Sequence, residues 1–444
     1  MKHLYTLDTI GKENQGNRYV GSKGHQDTLD YIQQIIEKTN QFDIQRQEVK
    51  VEDKSILAAS LKLFDVQDKT QEFKVVQFKN SPNTHKGGIL TKIINQHGTG
   101  CTSSNEEGEE KQLDKNKNKE PWIALVKRGE CTFTEKQLNA YHLGASAVLI
   151  YNNLEGDYVG ELNVTDAYIP VGGISKETGE TLIDLLSSNN NNNTYQLKLE
   201  SKTVIHTSYN IIADTKAGNK SNTIVIGAHS DSVKDGPGIN DDGSGISTLL
   251  ELAVHLNQQK INNAIRFCWW TAEELGLIGS QYYVNSLTQQ QLNDIALYLN
   301  IDMIASPNYV NYIYDGDGSD SPKAKPAPTG SDDIERTFEN YFKSQKQGFQ
   351  PLDLDLNART DSGPFYAAGI PFGGLTSGFD YNKTEEEVKL YGGTVGVAHD
   401  PCYHKICDTI DNVNSTVFLL HARAYAHALS IYSKSTTSLY AKGH

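Results

Sequence analysis

The sequence predicts an α/β fold, a largely parallel sheet covered by helices on both faces, with a second region inserted near its start. Three observations lead there. From residue 205 onward, short apolar runs alternate with stretches of helical periodicity, the pattern of parallel strands joined by crossover helices. The first 65 residues have the same texture, helix then strand. Between them, residues 66–204 change to short β-like pieces separated by polar tracts. A chain of 444 residues is long enough for two or three domains of about 150 residues each. The predicted division is one discontinuous domain, 1–65 with 205–444, and an inserted domain, 66–204.

Taken in order, "GHQDTLDYIQQIIEKT" carries Leu29, Ile32, Ile35 and Ile36 at helical spacing, and "FDIQRQEVKV" alternates like a strand. In the insertion, "EFKVVQF" and "KGGILTKII" read as short strands. The polar run "SSNEEGEEKQLDKNKNKE" has nothing to bury and reads as a loop, as does "SSNNNNNT" near residue 194. "PWIALVKRGECTFTEKQLNAYHLGASAVLIYNN" reads strand, turn, helix, strand. After residue 205, "NTIVIGAH", "AIRFCWW" and "DIALYLNIDMI" are strands. "GSGISTLLELAVHL" is a helix with Ile246, Leu249, Leu250 and Ala253 on one side. The loop "DGDGSDSPKAKPAPTGSDD" resembles a calcium loop only in its first residues, because the glutamate needed at the twelfth position is missing.

The formal charge of −14 argues against nucleic acid or anionic lipid as a partner, since both demand basic patches. No stretch approaches the ~20 apolar residues of a membrane span, and "MKHLYTLDTIGKENQGN" lacks the apolar core of a leader. Sequons at Asn163, Asn192, Asn219, Asn382 and Asn414 nevertheless point to the secretory route, with a leader already removed. The expected location is outside the cell or in a vacuolar or lysosomal lumen. Cysteine usage agrees. Cys402 with Cys407 and Cys101 with Cys131 are each open to a disulfide or a zinc–thiolate reading; no CxxC partner completes a four-thiolate shell, so disulfides are expected. Cys268, inside "AIRFCWW", reads as a buried free thiol.

In open α/β sheets, ligands sit beyond the carboxyl ends of the strands. His229 ends one strand, Glu273 and Glu274 follow the next, Asp302 follows a third, and Asp241 with Asp242 lie in a glycine-rich loop before a helix. So many carboxylates on one edge repel each other unless cations separate them. Imidazole and carboxylate ligands suit zinc, and few histidines among several carboxylates suit a pair of ions sharing one carboxylate. Three ligand carboxylates against two Zn²⁺ leave one positive charge, which a bridging hydroxide cancels. Taken singly, each residue also has an ordinary reading: a strand-end histidine, acids at a helix start, a helix cap. Their placement at successive strand ends favours the metal site.

"GAHSDSV…GINDDGSG", "FCWWTAEELGLIGS", "LNIDMIASPN" and "HDPCYHKICDTIDN" resemble, in order and spacing, the double-zinc aminopeptidases of the aminopeptidase Y and secreted bacterial leucine aminopeptidase type. "GNRYVGSKGHQDTLDYI" and "NARTDSGPFYAAGIPFGGL" extend the likeness. The insertion resembles a β-rich protease-associated domain. The resemblance implies a three-layer α/β/α zinc-exopeptidase fold with a mixed, largely parallel sheet, and a metallo-aminopeptidase that hydrolyses the N-terminal peptide bond. It further implies that Asp241 bridges two zinc ions, one held by His229 and Asp302, the other by Glu274 and His404. Glu273 corresponds to the general base that takes a proton from the bridging hydroxide's parent water, Tyr403 to the phenol facing the oxyanion, and Asp231 to a carboxylate orienting the His229 ring. Arg359 and Asp361 match a segment lining the substrate site. His404 is found only through this likeness; alone, it reads as a histidine in a surface disulfide loop.

Three other readings share the fold. A carboxypeptidase needs arginines placed for a substrate carboxylate, and few lie near the site motifs. A glutaminyl cyclase needs one zinc, whereas the tandem aspartates and complete ligand types favour two. A non-catalytic receptor is expected to have lost ligands, and none is missing here. Substrate side-chain preference, the role of the insertion and the oligomeric state are not legible.

Overall fold

The computed structural model describes all residues except 65–69, 97, 102–119, 157, 164–166, 189–192, 257–259, 320–326, 353–359 and 441–444. It divides into two compact units, Met1–Val51 with Ile205–His444, and Glu52–Val204. The second unit therefore starts earlier than residue 66. The reason is local: the strand Phe42–Phe64 passes through residues 51 and 52 unbroken, so composition does not change there. The first polar break in the sequence comes only where that strand ends.

In the first unit, Asn219–His229 is the central strand. It pairs in parallel with Asn263–Trp270 on one side and Ile295–Ile301 on the other. Phe372–Thr376 continues the parallel order beyond Ile295–Ile301, then Tyr312–Tyr314 joins antiparallel and Gln350–Leu352 parallel to that. On the opposite side, residues 211–214 run antiparallel to Asn263–Trp270. The sheet is thus mixed and mostly parallel, as expected.

Alternation along the strands separates two cores. Ile224, Ile226, Ala228, Phe267, Trp269, Leu297 and Leu299 face a layer that includes the helices Lys2–Glu13, Lys23–Glu37, Gly243–His255, Ser331–Ser344 and Ser415–Tyr432. Val225, Cys268, Trp270 and Tyr298 face the helices Ile278–Ser286 and Ser362–Ala367 through Tyr283, Val284 and Phe365. Each fully buried aliphatic side chain contributes about 1.5–3 kcal/mol, so the two faces lock the strand register. That register matters for function. His229 pairs with Trp270 and Gly227 with Asn300, which brings the ends of three adjacent strands level.

The helix Lys2–Glu13 was not evident from composition, yet it buries Leu4, Leu7 and Gly11 on one face. Lys23–Glu37 begins where the Ser22 hydroxyl accepts the His25 N–H, and Ser415–Tyr432 where Asn414 accepts from Thr416 and Val417.

The second unit pairs Ile89–Asn95, Trp122–Lys127, Ala147–Tyr151 and Val171–Ile174 in parallel succession, with Val76–Gln77 antiparallel at the edge. The helix Phe133–His142 starts in a reciprocal cap between Thr132 and Glu135, giving the strand, turn, helix and strand read from sequence. Among the described residues, no helix is long and apolar enough to cross a membrane.

Candidate active site

The site lies at the carboxyl ends of the parallel strands. His229 is the last residue of its strand. Asp302 follows Ile295–Ile301 directly, and Glu273 and Glu274 sit in the turn after Asn263–Trp270, several residues before the helix Ile278–Ser286 begins. They are therefore not acids complementing a first helical turn. Asp242 does cap a helix: one of its oxygens accepts the Gly245 N–H at 2.8 Å, and the other accepts the His229 N–H at 3.2 Å. Both oxygens are occupied by backbone, which leaves Asp241 as the free carboxylate of the pair.

Asp241 divides its two oxygens. Oδ1 lies 3.0 Å from His229 Nε2, and Oδ2 lies 3.1 Å from His404 Nε2. His404 Nε2 also lies 3.1 Å from Glu274 Oε2, while His229 Nε2 lies 3.8 Å from Asp302 Oδ1 and 4.0 Å from Glu273 Oε2. Five of the predicted residues, His229, Glu273, Glu274, Asp302 and His404, thus join Asp241 in one cluster of ionic contacts. Two groupings, His229 with Asp242 and Asp302 and His229 with Asp241 and Glu274, have ligand atoms within 4.8 Å of one another. Glu274 Oε1 and Asp302 Oδ1 are buried with no hydrogen-bond partner among the described residues. An unsatisfied buried acceptor costs about 1–3 kcal/mol. Two such carboxylate oxygens beside two imidazoles fit divalent cations.

The electrostatics follow from crowding. Burial disfavours charge on His229, but the hydrogen bond to Asp241 and the nearby Asp302 and Glu273 carboxylates more than reverse this and hold the imidazole well above its usual range. Burial likewise pulls His404 down, and Asp241 and Glu274 push it up to about 10. Asp241 is held below the carboxylate range against burial by its contacts with the two rings. Burial lifts Glu273 well above its usual range, and burial with the charge of Asp241 lifts Glu274 to about 7.

Asp231 behaves differently from expectation. Its backbone oxygen, not its carboxylate, accepts from His229 Nδ1 at 3.2 Å; the carboxylate lies 3.8 Å from that nitrogen. The carboxylate instead accepts the N–H groups of Glu273 at 3.2 Å and Glu274 at 3.4 Å. It thereby ties the glutamate turn to the loop that follows His229.

Tyr403 stacks on the His404 ring at 3.8 Å between centroids, and burial with the nearby carboxylates keeps its phenol protonated. The Cys402–Cys407 disulfide closes their loop, Cys101–Cys131 forms in the second unit, and Cys268 is free and buried. Asp361 is buried, Oδ1 has no hydrogen-bond partner among the described residues, and burial raises its carboxyl to about 7. Arg359 and the sequon at Asn192 lie outside the described residues.

The family model described as Peptidase family M28 matches residues 210–429, and that of the PA domain matches 89–182. The probable leucine aminopeptidase 2 of Aspergillus fumigatus is 40% identical over 428 residues, covering 95% of this chain and 80% of that protein. The chain belongs to peptidase family M28. Leucine aminopeptidase 2 of Trichophyton rubrum is also 40% identical, over 420 residues, 94% of this chain and 80% of its own length. Among solved structures, the aminopeptidase from Aneurinibacillus sp. strain AM-1 superposes with a TM-score of 0.71 at 26% identity, covering 97% of this chain and 93% of that one. The zinc aminopeptidase from Bacillus subtilis gives 0.69 at 25%, covering 98% and 95%. This M28 peptidase is a metallo-aminopeptidase, and the carboxypeptidase, cyclase and receptor readings are not favoured by relatives of this kind.

Several supporting residues of this M28 peptidase stand inside the sequence motifs with no role that the motifs reveal. Arg18, fully buried, donates from Nε to the Pro237 carbonyl at 2.8 Å, and from Nη1 and Nη2 to the Ser230 and Gly238 carbonyls, both at 2.6 Å. Thr360 donates to Asp302 Oδ2 at 3.2 Å and accepts from Asn300 Nδ2 at 2.6 Å. Asp400 and Asp408 flank the cysteine loop; burial and the charge of Asp400 raise Asp408 to about 8. An arginine before a glycine-rich helix start and aspartates beside cysteines were the available signals. Beside the "DGDGSD" loop, Glu335 of the helix Ser331–Ser344 lies together with Asp315 and Asp317.

Proposed function

We propose that this aminopeptidase holds two zinc ions, one by His229 and Asp302 and the other by Glu274 and His404, with Asp241 shared between them. The observation that carries the reading is the division of the Asp241 oxygens between the two imidazoles. When bound, zinc supplies a Lewis acid for the scissile carbonyl and lowers the pKa of an attacking water. Glu273 removes the proton of that water and returns it to the leaving amine, from a place 4.0 Å from His229 Nε2 in the same cluster. Asp231 fixes the turn that aims Glu273, through the Glu273 and Glu274 amides. Tyr403, held protonated, donates a hydrogen bond to the oxyanion.

The substrate is a peptide with a free N-terminus, and the names of the relatives favour leucine as its first residue. Asp361, buried with an unpaired acceptor oxygen, is assigned to the substrate-site lining, and Arg359 is assigned with it from the sequence motif alone. The domain boundaries support a catalytic unit and an inserted protease-associated domain. Two disulfides and exposed sequon asparagines Asn163, Asn219 and Asn382 support a secreted or lumenal glycoprotein.

Glu273→Gln tests the assignment. It is expected to keep two zinc ions per chain by elemental analysis while kcat on leucyl-arylamide falls about 1,000-fold. Loss of zinc with turnover retained after reloading means that Glu273 and Glu274 have exchanged roles. An N-acetylated substrate is expected to resist cleavage, which separates exo from endo action.

A further inference from the structure

His404 lies on a loop with no strand beneath it, yet it meets Asp241 at 3.1 Å. Three buried side chains account for that. Asp408, directly after Cys407, accepts the Asn240 N–H at 2.9 Å on Oδ1 and the Asp241 N–H at 3.1 Å on Oδ2, while its own backbone oxygen accepts the Ile239 N–H at 3.0 Å. One residue therefore takes three consecutive amides of the segment that presents Asp241. At the other end of the cysteine loop, Asp400 accepts the Cys402 N–H at 2.8 Å and the Asn240 side-chain amide at 2.6 Å. Asn412 joins the two carboxylates, donating to Asp400 at 2.9 Å and to Asp408 at 3.2 Å. Asn240 completes the frame by donating to Ser306 Oγ at 3.0 Å and accepting the Ala305 N–H at 2.9 Å, beyond the strand that ends at Ile301. The loops also meet backbone to backbone: a Cβ on Gly236 would lie 2.3 Å from the Lys405 carbonyl oxygen.

We infer that Asp400, Asp408 and Asn412 are positioning residues that clamp both ends of the Cys402–Cys407 loop onto the Asn240–Asp241 segment, and so set the His404 and Asp241 side of the metal centre in particular. Hydrogen bonds behind ligands set their orientation, and their loss lowers metal affinity about 10- to 100-fold. The clamp reaches one proposed ion through both His404 and Asp241, and the other through Asp241 alone. His229 and Asp302 take their places from strand ends. Asp408→Asn keeps size and shape but turns one acceptor into a donor, leaving a buried backbone N–H of Asn240 or Asp241 unmatched.

The proposal rests on the two-zinc reading, and the test separates them. Metal-free full-length protein is titrated calorimetrically with zinc chloride, as wild type, as Asp408→Asn and as His404→Ala. The expected result is two binding steps in wild type; in Asp408→Asn the step that His404→Ala removes is weakened at least 10-fold and the other by a smaller factor. Equal weakening of both steps, or of neither, overturns the clamp and leaves the two-zinc reading standing. A single step in wild type overturns that reading and the clamp with it. Asn412→Ala serves as a second variant that leaves both carboxylates in place; it is expected to weaken the same step by a smaller factor, and an unchanged titration counts against the clamp.

Discussion

His229, Glu274 and Asp302 stand at or just after the ends of sheet strands, whereas Tyr403 and His404 stand in a short disulfide-closed loop. The first group inherits its geometry from strand register, which two cores enforce from opposite faces. The second has no such scaffold and is held by one covalent bond and a set of buried hydrogen bonds. The difference teaches that a shared site can draw rigidity from two sources, and that the two should fail in different ways. Strand-end ligands resist local damage until the sheet itself weakens. Loop ligands are exposed to every change in the links around them.

The largest expected effect comes from breaking the covalent link. Replacing Cys402 and Cys407 together by serine is expected to lower kcat/KM about 100-fold, with loss of stability limited to about 2 kcal/mol because the closed loop is short. Steady-state kinetics and denaturant titration read the two effects separately; a stability loss large enough to explain the activity loss would erase the contrast. A smaller effect is expected in the strand-end group. Thr360→Val removes the hydroxyl that steadies Asp302 and should reduce kcat/KM about 10-fold without changing zinc content. If that substitution costs more than the disulfide, the ranking of the two groups is reversed.

The smallest effect concerns the scaffold beneath both. His421 is buried on the helix Ser415–Tyr432, its Nε2 2.9 Å from Asn311 Oδ1, and burial lowers its imidazole to about 3. The unfolded chain takes up that proton near pH 6.5 and the folded chain does not, so stability present above pH 6.5 is lost as pH falls toward 3, by about 2 kcal/mol at pH 5. His421→Gln is expected to flatten the fall in Tm between pH 7 and pH 5 by a few degrees. Parallel curves for the two proteins would remove His421 from the account.

The strand-end group was legible in the sequence because periodicity finds strands and the rule for open sheets says where ligands gather. "NTIVIGAH", "AIRFCWW" and "DIALYLNIDMI" became the three central strands. His404 was reached only through family likeness, since nothing in "CYHKIC" indicates which strand ends it faces. The hydrogen bonds of the Asp231 carboxylate are hidden for a similar reason: besides lying 3.8 Å from His229 Nδ1, it accepts from a turn more than forty positions away. The unit boundary at residues 51 and 52 left no mark because a continuous strand crosses it.

Arg18 sets one further condition on this design. Its guanidinium closes on carbonyls 212 to 220 positions downstream, so the approach to Asp241 is finished by a side chain from the opening stretch of the polypeptide. A fragment covering only the 210–429 match to the peptidase family would leave three interior oxygens without their donor. Dissecting the protein by its recognisable sequence segments therefore removes a keystone, and expression trials aimed at the catalytic half need to retain the segment around Arg18.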